Sequence, residues 1–368
     1  MSALPPAFRR GRMIDPRATK LERTLTCERQ LVCCRYSPDR KFLFAAGFDG
    51  QLYRWNLGDG THEAFPAHQG WVESMVLHPD GSRLFTADSW GQIHCWPLAA
   101  GPLKPQWSIA NAHSTWLRRL AISPDGTTLA SCGNDRMVRL HSAVDGKPIR
   151  ELAGHASHVQ SVVFDRESKT LASGDLRGGV KQWDIATGKC LREMDVSGLY
   201  KKFHQYDQGG VRVMTFDAKC ETLYCAGFEG INANQAQGVP TVVAFDWSSG
   251  KQRGLMKPKA DFKGPIVDLV FHPAGYVIGA GSSEGGGALW FWKPGESEET
   301  HVVKYGYSFR GLGLHSDGLS LAAASFGDAG GQRGGNGRRL NAKGEYLDFQ
   351  GNIVLYTLSD QVPSSPKK

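Results

Sequence analysis

The chain has 368 residues, 40% apolar and 21% charged, which excludes wholesale disorder and provides for a substantial core. Lysine and arginine number 43 against 36 acidic residues, so the net charge of +7 permits an acidic partner without demanding one. No apolar run approaches the ~20 residues of a membrane span. Residues 1–17 are basic and proline-bearing but hold no apolar h-region. They are expected to form a tail, which with the absence of a signal peptide places the protein in the cytoplasm. Eight cysteines stand at 27, 33, 34, 95, 132, 190, 220 and 225, with no CxxC pair and no zinc-like spacing. Reduced thiols packed as small apolar groups are the expectation.

After the tail, ATKLERTL (18–25) has a strand-like pattern that belongs to no repeat. Repeats then follow, plainest at 67–101, 112–147 and 154–189. Each opens on a His, runs through an alternating strand, turns at a sequence such as Ser123-Pro124-Asp125-Gly126, and ends a third strand on an aromatic. That end position recurs at Trp55, Trp96, His141, Trp183, Phe245, Trp292 and Tyr356, at intervals of 41, 45, 42, 62, 47 and 64. The first-strand turn recurs independently at Pro38, Pro79, Pro124, Arg166, Ala218, Pro273 and Ser316. Two landmarks thus give seven units, and the two longest intervals signal insertions. Glycine at 45 of 368, about 12% against a usual ~7%, fits many tight turns. Such short alternating sheets cannot bury both faces alone, but radial packing buries them.

The ~40-residue period, the opening Gly154-His155 and the closing Trp183-Asp184 resemble the WD40-repeat family of β-propellers over about residues 21–360. The resemblance implies an all-β, seven-bladed propeller of four-stranded antiparallel blades. The last unit stops after its third strand, 351–358, so 18–25 is expected to supply its outer strand and close the ring. The expected division is a tail at 1–17, one propeller at 18–360 and a second tail at 361–368.

Blades of this family carry a His, Ser/Thr, Asp and Trp hydrogen-bonded set. Blade three has His113, Ser131 and Asp135, with His141 in place of Trp. Blade two has His68, Thr86 and Trp96 but Trp90 in the Asp place, and blade four has His155, Ser173 and Trp183 but Arg177. Asp88 and Asp175 stand two residues earlier as candidate substitutes, and no blade is expected to carry the full set. Their repetition argues for a structural role rather than triad catalysis. The one G-x-S-x-G match, 281–285, precedes another strand and not a helix, so it is not a nucleophile elbow. Glu73, Asp268 and His158 on inner strands come from three separate blades, too scattered to predict a metal site. No catalytic residue, metal or cofactor is expected.

In the family the top face, formed by the loops entering the inner strands and those joining second to third strands, commonly docks peptides. The inner-strand starts that this implies are Gln30 and Val32, Trp71 and Glu73, Trp116 and Arg118, His158 and Gln160, Gly210 and Arg212, Pro265 and Val267, Ser308 and Arg310. Trp and Arg are the residue types of binding hot spots; the two Trp serve either as such or as wedges between blades. Four insertions, 196–209, 227–240, 257–265 and 326–350, fall on the same face. They form a candidate lip carrying Tyr200, Lys201, Lys202, Phe203, Arg333, Arg338, Arg339 and Lys343, unless the Gly-rich blade-seven loop is only decorative.

A non-enzymatic scaffold is therefore expected, binding a peptide or protein, with acidic groups favoured. The alternative is nucleic-acid binding through the basic loops of blades five to seven, and a third reading is a hydrolase or lyase at the channel mouth. A single propeller is self-sufficient, so a monomer is expected.

Overall fold

The computed structural model describes residues 13–360 except 99–100, 102, 205, 233–236, 260, 284–285, 328–331, 334–338, 341–345 and 348–349, and except the side chains of 206 and 327–349. Most of the first predicted tail and all of the second lie outside the described residues.

Seven four-stranded antiparallel sheets follow one another around a ring. Their inner strands are Leu31–Tyr36, Val72–Leu77, Leu117–Ile122, Val159–Phe164, Val213–Phe216, Ile266–His272 and Ser308–Leu314, for blades one to seven. Each blade runs outward from its inner strand in chain order. In blade seven the outer place is taken by the N-terminal strand Asp15–Cys27, antiparallel to Gln350–Ser359 with Lys20 opposite Thr357 and Leu25 opposite Ile353. The closing strand thus begins three residues before the predicted start and ends two after the predicted end.

Apolar residues gather in seven clusters, one between each pair of neighbouring blades. This follows from the alternation: one face of each sheet packs on the blade before and the other on the blade after. The strand-ending aromatics Trp55, Trp96, Trp183, Trp292, Phe245 and Tyr356 are all buried in these clusters. Histidines tie blades together at the same end: His78 Nε2 lies 2.9 Å from the Gly126 carbonyl, and His272 Nε2 lies 2.6 Å from that of Gly318. Both glycines sit at positive φ in the turn of the next blade, where a side chain would be strained. All eight cysteines are free thiols, and six are buried. No helix among the described residues is long and apolar enough to cross a membrane.

Candidate functional site

The inner strands share a local irregularity. In blades one, two, three, four, six and seven the pairing with the second strand skips one residue near the start. The skipped residues are Val32, Glu73, Arg118, Gln160, Val267 and Arg310; Arg212 holds the equivalent place just before the inner strand of blade five. A bulge leaves a residue out of the ladder and re-aims its side chain. Seven such residues form a ring, and their charges interact between blades that are not neighbours: Arg212 with Arg118 and Arg310, and Glu73 with Arg310. Only the central channel brings these blades together.

Three ring members are arginines, from alternate blades three, five and seven. Each guanidinium lies over an aromatic ring: Arg118 over Trp116 at 4.7 Å, Arg310 over Phe326 at 4.5 Å, and Arg212 over Phe228 at 5.3 Å. Arg118 Nε also donates to Asn134 Oδ1 at 2.9 Å. The Nε of Arg212 and of Arg310 and Oε1 of Gln160 are buried without a hydrogen-bond partner among the described residues. Burial, then the like charges of Arg310 and Arg118, pulls the Arg212 guanidinium down to about 10, so it remains protonated at neutral pH. Burial pushes the Glu73 carboxyl above its ordinary range, against the pull of Arg118, Arg310 and Arg119.

Beneath the ring the channel is bridged. Arg119 of blade three reaches Asp268 of blade six at 3.4 Å, and Asp268 also accepts the backbone N–H of Leu269 and, at 2.7 Å, that of Leu312. Asp268, weighed from the sequence as a metal ligand, is committed to these bonds. His158 stands exposed at the rim, away from such a set, and the described residues hold no cluster of His, Cys, Asp and Glu suited to a metal.

Two residues before the ring positions, Gln30, Trp71, Trp116, His158 and Pro265 each accept a backbone bond from the turn between the second and third strands of their blade, at 2.8 to 3.2 Å. This fixes the rim. Trp71 and Trp116 are 44% and 38% exposed, so neither is a buried wedge. Trp71 packs on Phe48 of blade one at 4.8 Å and edge-on to Trp116 at 5.5 Å. An aromatic row thus crosses three blades and ends on Arg118. Trp90, 57% exposed, stands in the adjacent turn. Sequence reasoning missed Phe48, Asn134, Phe228 and Phe326, and took Trp90 only as a replaced Asp; turn residues beside the rim were the available signal.

The repeating His set is more complete than expected. In blade two His68 meets Thr86 at 2.7 Å and Asp88 at 3.2 Å, and Trp96 donates to Thr86. In blade four His155 meets Ser173 at 2.6 Å and Asp175 at 2.8 Å, and Trp183 donates to Ser173. The expectation that no blade carries the full set is therefore corrected: Asp88 and Asp175 complete it, while Trp90 and Arg177 point outward. Blade three stops at His113, Ser131 and Asp135, with Arg139 added and the buried Nδ1 of His141 unpartnered. These residues are consumed by one another and serve the turns.

Where they are described, the insertions form hairpins and extensions of strands. Residues 200–209 form a hairpin, Tyr200–Phe203 against Tyr206–Gly209, pinned by Tyr200 and Arg177 to Asp207 at 2.7 and 3.2 Å. Segment 227–240 prolongs the central hairpin of blade five. Segment 257–265 lies against it through Lys257 to Glu229 and the Gly264 N–H to the Gly238 carbonyl at 2.9 Å. Lys201 and Lys202 are exposed and Phe203 packs edge-on to His204. Arg333 and Arg339 fall in two short strands of a separate small sheet in the blade-seven insertion. Arg338 and Lys343 lie outside the described residues. The insertions of blades five and seven meet the arginine ring through Phe228 and Phe326, which lie against Arg212 and Arg310, and Gly209 and Gly210, both at positive φ, turn the hairpin directly into Arg212. A Cβ on Gly210 would fall 2.4 Å from the Leu176 carbonyl oxygen.

The rejected G-x-S-x-G segment lies in a β-hairpin, Ser282 opposite Gly287. A groove of about 420 Å³ between blades seven and one is lined by Cys27, Asp49, Tyr53 and His62 among others. Burial raises the Cys27 thiol, the opposite of nucleophile activation.

Residues 19–56, 61–97, 104–142 and 146–184 match the family model described as WD domain, G-beta repeat. The chain is similar to rat apoptotic protease-activating factor 1, 27% identical over 43% of this chain and 12% of the relative. It is also similar to Drosophila melanogaster actin-interacting protein 1, 26% identical over 42% of the chain and 26% of the relative. The Dictyostelium discoideum homolog of WD repeat-containing protein 91 is 23% identical over 63% of the chain and 32% of the relative. The chain thus spans at most about a third of these relatives. Four matched repeats, continued by three blades of the same strand order in one closed ring, show that the chain belongs to the WD40-repeat family of β-propellers.

Proposed function

We propose that the protein is a non-enzymatic interaction scaffold, a cytoplasmic monomer that binds a peptide or protein on the top face of its propeller. The observation that carries this reading is the half-exposed row Phe48, Trp71 and Trp116, ending on the arginine ring. Large rings left in water on a rigid, hydrogen-bonded rim provide contact area at little ordering cost. Family membership and relatives named for their interactions, such as actin-interacting protein 1, support a scaffold in general terms. The nucleic-acid reading rests on the +7 charge, on Arg333, Arg338 and Arg339, and on the aromatics that flank Lys201 and Lys202, but there the Tyr200 hydroxyl is tied to Asp207 and Phe203 packs on His204. Free stacking platforms are not offered there.

The test is a cross-linked pull-down from native lysate with three baits: wild type, Trp71→Ala/Trp116→Ala, and Ile149→Ala/Leu191→Ala on exposed outer strands. Proteins kept by the outer-strand variant and lost by the tryptophan variant support the top face. Equal capture by all three moves the site elsewhere.

A further inference from the structure

The ring at the channel mouth has an unbalanced charge. Arg118, Arg212 and Arg310 contribute three positive charges and Glu73 one negative, and among the described residues the charges that bear on Arg212 are the like ones of Arg310 and Arg118. One layer down the account is closed, because Arg119 faces Asp268, and Arg35 donates to the carbonyls of Cys34 and Leu312. Folding therefore brings three cations together at a half-buried mouth with Glu73 as the one carboxylate of the ring to face them.

What holds them there also matters. A structural arginine is ordinarily fixed by a carboxylate, which uses up the N–H fork. Here Trp116, Phe326 and Phe228 hold the guanidinium planes by their faces. The only side-chain hydrogen bond described for the three is that of Arg118 Nε to Asn134. Shelved arginines keep their edges free, pre-oriented donors for an oxyanion. A cationic ligand is disfavoured by the same charge, although exposed tryptophans stand alongside.

We infer that the ring of Arg118, Arg212 and Arg310 is an oxyanion site that takes a phosphorylated side chain of the protein partner, while the Phe48–Trp71–Trp116 row holds the flanking residues. The net charge of +2 matches a phosphate monoester at about −1.5 to −2; a carboxylate leaves it unbalanced. This rests on the top-face reading above and deepens it.

The experiment uses the full chain and an immobilised random peptide library with one fixed phosphoserine, beside twin libraries carrying serine and glutamate. Wild type should retain the phosphoserine library at least about tenfold better than either twin. Arg212→Gln and Arg310→Gln, each checked for fold by circular dichroism, should lose that preference. Equal retention of the serine twin overturns the proposal. Equal retention of the glutamate twin replaces phosphate with carboxylate and overturns it too, as does stronger retention of a single-stranded RNA oligomer. Phosphatase treatment of the lysate separates the two readings. If the tryptophan variant loses partners but phosphatase and the arginine variants change nothing, the scaffold stands and the phosphate site falls. If the tryptophan variant loses nothing while the arginine ring still prefers phosphoserine, the face assigned to the scaffold falls alone.

Discussion

Arg119 and Asp268 meet at 3.4 Å across the central channel, joining blade three to blade six. Both side chains are largely buried, and Asp268 also caps the Leu312 N–H of blade seven. Asp268→Ala leaves a buried cation and a buried donor without partners and should cost about 3–5 kcal/mol in urea denaturation. Asp268→Asn keeps the acceptor for Leu312 and should cost less. An alanine variant as stable as wild type removes the bridge from the list of structural contacts.

The His sets of blades three and four give an internal comparison. Ser173 serves both His155 and Trp183, whereas Ser131 serves His113 alone, because His141 stands where the Trp would be. Each buried group left unpaired costs about 1–3 kcal/mol. Ser173→Ala should therefore destabilise more than Ser131→Ala by roughly one such increment. Equal losses in parallel thermal melts would mean that the Trp183 N–H adds nothing.

Acid sensitivity should begin near neutrality. Burial, aided by neighbouring charge, pushes the His94 and His141 imidazoles down to about 4. Their unfolded value is ~6.5, so the unfolded chain binds more protons between those values. Their contribution is fully present above about 6.5 and is lost as pH falls towards 4. His315 opposes this: burial lowers it, but Asp317 and the Pro38 carbonyl raise it further, so its contribution fades as pH rises. Tm should fall on going from pH 7 to 5, and His141→Phe, which removes an Nδ1 without a partner, should reduce the fall. An unchanged profile in that variant would exclude His141 as a source.

Deleting residues 1–27 opens blade seven. Ile14 and Leu25, both buried, alone account for about 3–6 kcal/mol of apolar burial, and the deletion leaves the edge Gln350–Ser359 unpaired. A sharp fall in Tm by calorimetry and concentration-dependent self-association on a sizing column are expected. A truncated chain that melts like the full one would show that the ring does not depend on its closing strand.

The ring was legible because strand period and turn landmarks are local, and the seven inner positions could be counted off one per repeat. Val32, Glu73, Arg118, Gln160, Arg212, Val267 and Arg310 proved to be the out-of-ladder residues for that reason. Asp88 and Asp175 could be named as substitutes because they stand only two residues from the usual place, but that they complete the set depends on the backbone geometry of the turn. The partnership of Arg119 with Asp268 was beyond reach, since 149 positions of sequence separate residues that meet only once the ring has closed. The insertion at 227–240 was read as a loop because its Gly and Asn content hides the continued pairing of Glu229 with Val239.

The pairing of Asp15–Cys27 with Gln350–Ser359 also fixes an order of events. The strand Asp15–Cys27 leaves the ribosome before any inner strand of the ring, and its partner is the last strand of the ring to be made, so it stays without a mate while the propeller is synthesised. Blades one to six can assemble on local contacts as they emerge, but the seventh waits for the first and last strands of the ring. During that interval the waiting segment, with apolar Ile14, Leu21 and Leu25 along it, is the part of the nascent protein most in need of a chaperone.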